Sequence, residues 1–348
     1  MLSADTLWIT ALIERGRSVV DHPFVASLLV LGWIPLVTSG IVFFGSSSTE
    51  LSFVIIQLLT ASIVVLGPYQ AYKYDTNILP EFFDDVEELI ADQDLQALRK
   101  RRRHYLKHFR VKHIPFVLLW TAAVVSVLPL NASYFADQGL VFGTPLYFVY
   151  VIFLLDFGVL SGLGLFSVLI TIRSIQSIAT LSITIEPLHP DGLGGLSVFG
   201  TFAIWSTLLI SNGALAIPLS IEMVTTPFGA AVVYSGISFY VLLILTSFVY
   251  PTVKINRKAQ QIRESHLEQY RQKIRELETE ITEVTSKSQA STRELCLRME
   301  IERARKEFQN YRDVRLYPLS VGIFVRLLSS VLLPVGFTLF EFFLPQIL

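Results

Sequence analysis

The amino-acid sequence specifies an all-α protein, a polytopic membrane helix bundle, and two observations carry that reading. Seven stretches, 24–44, 51–72, 114–130, 146–172, 198–221, 228–250 and 327–345, are apolar and long enough to cross a hydrocarbon core as helices. The basic residues are then distributed with one sidedness. Of 28 Lys and Arg, two precede the first stretch, nine lie in 73–113, Arg173 stands after the fourth, fifteen lie in 251–316, and Arg326 edges the last. The intervening segments 45–50, 131–145, 222–227 and 346–348 contain none. Cytoplasmic loops carry the Lys/Arg excess of membrane proteins. Seven transmembrane helices in a cell membrane, with a cytoplasmic N-terminus and an extracellular C-terminus, satisfy that pattern.

Composition agrees. Mean hydropathy is +0.54, and 52% of residues are hydrophobic against 16% charged. The near-zero net charge of -1 hides segregated charges. A single cysteine, Cys296, excludes an intramolecular disulfide and a thiolate metal cluster.

Taken in order, three units are expected. Residues 1–250 form a six-span bundle, 251–316 a cytoplasmic antiparallel helical hairpin, and 317–348 the seventh transmembrane helix. Ahead of the first span, Leu7, Trp8, Ile9, Leu12 and Ile13 suit a short interfacial helix. Arg15 and Arg17 follow those apolar residues, the reverse of a secretory signal.

The 73–113 loop reads as one long cytoplasmic helix, with Pro80 near its start. Seven acids from Glu81 to Asp94 precede eight bases from Arg99 to Lys112, an order that suits the helix dipole. The basic block adjoins the third span, where it would touch anionic headgroups. In 251–316, Leu267, Tyr270, Ile274, Leu277, Ile281 and Val284 alternate at three- and four-residue spacing, a coiled-coil seam. A polar stretch then intervenes. Ser291 and Glu294 read as a capping box restarting a helix that carries Leu297, Ile301, Ala304, Phe308 and Tyr311.

Few residues are placed to carry chemistry. Asp156 sits inside the fourth span, where a charge is expensive, so it faces protein, water or a partner. It would serve as an ion or proton carboxylate, or as a packing hydrogen bond. Gly158 and Gly162 follow at a spacing that allows close helix approach. Asn212, beside Gly213 and ahead of Pro218, marks a broken helix whose freed carbonyls bind ions in some transporters, or a plain interhelical hydrogen bond. Arg326 and Glu341 bracket the last span, as snorkelling ends or as the ends of a conducting path.

The loop after the fourth span is distinctive. Thr180–Ile185 alternates like a strand, and prolines and glycines then force turns. Glu186, His189 and Asp191 are all possible metal ligands, although three within six residues seldom complete a site. A rigid hydrogen-bonded elbow, with Gly194 and Gly195 at its tight points, is the competing reading. No serine nucleophile motif, HExxH or Walker sequence occurs, so no enzyme activity and no cofactor are expected.

Residues 187–196 resemble the HPD-x-x-GGL loop of prokaryotic multi-pass membrane proteins of uncharacterised function. In overall plan the chain looks like the seven-helix ligand-gated ion channels typified by insect gustatory and odorant receptors. That resemblance implies a homo-oligomer joined through its cytoplasmic helices and a cation pore lined by the last helix.

The expectation is therefore a homo-oligomeric cation channel or receptor-channel. The competing classes are a membrane scaffold or signalling sensor and a secondary transporter. Expected partners are the lipid bilayer, further copies of the chain, and a small-molecule ligand or ion. No nucleic acid is expected, because the charges of the hairpin are mixed.

Overall fold

A computed structural model describes residues 6–45, 50–187, 189, 191, 193–224, 227–286 and 291–314. It is a helical bundle. Four helical runs are long and apolar enough to cross a membrane: Pro23–Gly45, Leu51–Glu87, Asp92–Leu130 and Pro145–Ile178. We label the helices α1 (Trp8–Gly16), α2 (Pro23–Gly45), α3 (Leu51–Glu87), α4 (Leu95–Val111), α5 (Ile114–Val125), α6 (Pro145–Ile178), α7 (Ser197–Ser211), α8 (Ile217–Glu222), α9 (Pro227–Ser286) and α10 (Ser291–Asp313).

α6 is the axis of the bundle. Thr144 caps it by accepting the Tyr147 amide, Pro145 occupies its first turn, and it packs against α2, α3, α4, α5, α7 and α9. The closest approach is to α5. A methyl at Gly158 would stand 2.9 Å from the Thr121 Cα, and one at Gly162 3.1 Å from the Trp120 ring. These glycines let two backbones meet where any side chain would separate them.

Hydroxyl groups tie the helices laterally. The Tyr74 hydroxyl lies 2.8 Å from Thr171 Oγ1, which lies 2.8 Å from Ser206 Oγ. Gln57 donates to Ser39 at 3.3 Å and accepts from Tyr150 at 3.2 Å. Such interhelical bonds contribute about 0.6–2 kcal/mol each in membrane bundles. Outward-facing Leu29, Trp33, Leu58, Leu118, Leu119 and Ile152 are exposed. So continuous an apolar surface suits contact with lipid.

The 73–113 segment is not one helix. α3 continues through Pro68, passes a π-turn at Tyr74–Ile78, and ends at Glu87. The chain then reverses and α4 begins at Leu95. The reversal has a tertiary cause. The amide of Ala91 donates to the Ser182 carbonyl at 3.0 Å, and the Thr184 amide donates to the Leu89 carbonyl at 2.7 Å. Ile90 and Ile183 thereby form an antiparallel bridge, as the alternation in Thr180–Ile185 suggested. Folding the segment back lays its acidic half against its basic half, so Arg99 pairs with Glu87 and Arg102 with Asp84. Phe82 stacks on Phe202 of α7 with centroids 3.8 Å apart, and its neighbour Phe83 stacks with Tyr105 of α4 at 6.3 Å.

α1 forms where expected, but it docks on protein. Leu7, Ile9 and Ile13 are fully buried, whereas Trp8 is only partly so.

The stretch 198–221 divides into α7, a tight 3-10 turn at Asn212–Ala216, and α8. The stretch 228–250 is the first part of α9, whose 60 residues continue past residue 250 without a break. α10 packs back along its far part, with Leu297 and Ile301 clustered on Leu277, Ile281 and Val284. Arg305 pairs with Glu278 at 3.0 Å and Arg293 with Glu280 at 2.8 Å. The stretch 327–345, with Arg326 and Glu341, lies outside the described residues.

Candidate functional site

Two features of the bundle core are organised for more than packing, a cavity and a buried clasp. The cavity measures about 630 Å³ and is walled by α3, α5, α6, the 212–216 turn, α8 and α9. Its wall is mostly apolar, with Phe135, Leu154, Phe157, Met223 and Phe239 among the lining side chains.

Most polar atoms on that wall are already engaged. Trp120 Nε1 donates to Ser161 Oγ at 2.9 Å, and Tyr150 and Tyr74 are held by Gln57 and Thr171. Gln70 is the exception, lining the cavity with no hydrogen-bond partner among the described residues. A pocket of this size and lining suits a small, largely apolar molecule carrying one hydrogen-bonding group.

Asn212 opens the 3-10 turn that forms part of this wall. The turn follows from composition: glycine at 213 weakens helix propensity, and Pro218 sits in the first turn of α8, where its missing amide is harmless. A methyl at Gly213 would come 3.3 Å from the Tyr240 ring of α9, so the break brings backbone against that helix. Asp156 is half-buried on α6 and is not among the cavity-lining residues. Its Oδ2 is buried with no hydrogen-bond partner among the described residues.

The HPDGLGGL loop is a hydrogen-bonded elbow. Asp191 accepts the amides of Leu193 at 2.8 Å, Gly195 at 3.1 Å and Ser197 at 3.2 Å, and so caps the start of α7. His189 Nδ1 lies 2.9 Å from Asp191 Oδ1. Burial pushes the Asp191 carboxyl upward, but the Gly195 and Leu193 amides, with Ser197 and His189, outweigh it and hold its pKa at about 2. Gly194 and Gly195 have φ of +68° and +88°. A methyl on Gly195 would stand 2.3 Å from Leu89 Cδ2, and one on Gly194 2.5 Å from Ile185 Cγ2.

The Glu186 side chain is exposed and stays apart from the other two. Among the described residues no group of three His, Cys, Asp or Glu is placed to hold a metal ion.

The clasp is absent from the sequence reading. Asp75, fully buried in the π-turn of α3, receives Arg110 Nε of α4 at 2.7 Å on Oδ1. Its Oδ2 accepts Thr10 Oγ1 of α1 at 2.8 Å and the Leu7 amide at 3.4 Å. One carboxylate thus joins three helices. Glu14 of α1 adds a bond from Tyr72 at 2.6 Å. The only local sign of Asp75 is an acid placed directly after an apolar span, which reads equally well as a span boundary. A second unanticipated pair, Tyr134 donating to Glu222 at 2.8 Å, sits beside the cavity wall at Phe135 and Met223.

Compared with known families, curated proteins and solved structures, the chain matches none.

Proposed function

We infer that the chain is a ligand-responsive, channel-like membrane protein that works as a homo-oligomer. The observation that carries this reading is the bundle cavity, whose wall includes α9, the helix that runs on into the α9/α10 hairpin. An occupant of the cavity therefore touches the element that leaves the bundle. Seven spans, with the hairpin on the cytoplasmic side and Arg326 and Glu341 bracketing a conducting last helix, complete the proposal. The basic-residue pattern supports that topology. Asp156, with its unpartnered oxygen, is the candidate cation ligand within the bundle.

Purified protein reconstituted in planar bilayers should pass a cation current. Silence across ions and voltages, with the oligomer intact, overturns the proposal.

A second reading is favoured by one observation. Leu295 and Met299 of α10 are 59% and 66% exposed, one turn apart and outside the seam with α9, as a partner-binding face would be. On that reading the protein is a scaffold or sensor. Deletion of 258–312 separates the two: loss of a bound partner with the current unchanged favours the scaffold.

A further inference from the structure

The nine bases of 73–113 divide into two sets. Arg99, Arg101, Arg102 and Arg110 are spent inside the fold, on Glu87, the Ser177 carbonyl, Asp84 and Asp75 respectively. Arg103, Lys107 and Lys112 are exposed and have no ion pair or hydrogen bond among the described residues. Arg103 and Lys107 lie four residues apart on one face of α4. The same ladder continues, at helical spacing, through Val111, Ile114 and Leu118, which are 41%, 51% and 62% exposed. A two-residue turn is all that separates α4 from α5. Arg173 of α6, also exposed, stands alongside, where its charge acts on His108.

One face therefore changes from cationic to apolar along its length, with the change at the start of an apolar helix. At about 1.5 Å per residue, Lys107 lies roughly 10 Å beyond Ile114 and Lys112 much closer. A headgroup layer extends roughly 5–7 Å beyond the hydrocarbon, and a lysine stem covers the remainder.

We propose that this face is a binding site for an anionic phospholipid of the bilayer. Its phosphate sits among Lys107, Lys112 and Arg103, and an acyl chain lies along Val111, Ile114 and Leu118. Charge complementarity selects the headgroup, and continuity with the apolar ladder selects a lipid over a free anion. The site depends on α5 spanning the membrane and is independent of whether the protein conducts.

The test is electron paramagnetic resonance of the full chain in phosphatidylcholine bilayers containing a minority of spin-labelled lipid. Spin-labelled phosphatidylglycerol should associate at least about fivefold more strongly than spin-labelled phosphatidylcholine. The triple variant Arg103→Gln, Lys107→Gln, Lys112→Gln should bring the ratio near one. The double variant Arg99→Gln, Arg102→Gln, which removes spent bases, should leave it unchanged. Lys107→Gln alone gives a graded loss should the triple variant misfold. Excess inorganic phosphate should not displace the labelled lipid. Equal association of the two lipids with wild type, a preference that survives the triple variant, or displacement by phosphate would each overturn the site.

Discussion

Replacing Asp75 with alanine should release α1 from the bundle. The carboxylate is fully buried, while Arg110 keeps 22% of its side chain exposed. Removing one partner of a buried ion pair costs about 3–5 kcal/mol, because the other charge is left without compensation. Arg110 can turn partly toward water, so the lower end applies. The Thr10 hydroxyl and the Leu7 amide lose their acceptor in the same step. A net loss of about 3 kcal/mol in the local stability of α1 corresponds to roughly a hundredfold faster amide exchange.

Hydrogen-exchange mass spectrometry of the reconstituted protein reads this directly on residues 8–16. Asp75→Asn, which keeps an acceptor for Thr10 but no charge, should give an intermediate acceleration, about tenfold. Asp75→Ala combined with Arg110→Ala should cost less than the sum of the two single changes. If α1 in a folded Asp75→Ala protein exchanges as slowly as in wild type, the clasp does not hold it. The burial of Leu7, Ile9 and Ile13 then suffices.

Three further outcomes are expected. Gly195→Ala should destabilise the protein by more than about 2 kcal/mol in thermal unfolding in detergent, combining a left-handed φ with the clash on Leu89. Gly143→Ala, at φ +89° but in open space, should cost only about 1 kcal/mol. The depressed pKa of Asp191 should stabilise the fold fully above the ordinary carboxylate value of 3.8. About 1 kcal/mol should be lost as pH falls from there toward 2, and Asp191→Asn should flatten that dependence in acid-unfolding curves. Gly164 lines the cavity and a methyl on it meets nothing within 4 Å, so Gly164→Phe should fold normally yet abolish uptake of an apolar fluorescent probe.

Local pattern carried much of the architecture. Spans expected at 24–44 and 146–172 appear as Pro23–Gly45 and Pro145–Ile178, because apolar runs ended by polar residues are strong signals at short range. The hairpin contacts among Leu277, Ile281, Val284, Leu297 and Ile301 follow equally from helical periodicity. What escaped depended on distant chain. The reversal between Glu87 and Leu95 is set by hydrogen bonds to Ser182 and Thr184, which nothing in 73–113 announces. Charge order alone suited one continuous helix as well as two facing ones. The Asp75 clasp needs a π-turn and two other helices to exist. The cavity is a space left among several elements, and no residue pattern encodes an empty volume. For the elbow, both the metal reading and the capping reading were open from Glu186, His189 and Asp191. The amides of Leu193, Gly195 and Ser197 favour the cap.

The π-turn at Tyr74–Ile78 has a genetic corollary. Such a turn holds one residue more than the helix around it requires. Deleting a single codon there would restore plain α-geometry and rotate everything downstream by about 100°. Phe82 and Phe83 would swing away from Phe202 and Tyr105, and Leu89 would lose its station opposite Gly195. Frame-preserving deletions in this short stretch should therefore be far less tolerated than substitutions at its exposed position, Asn77.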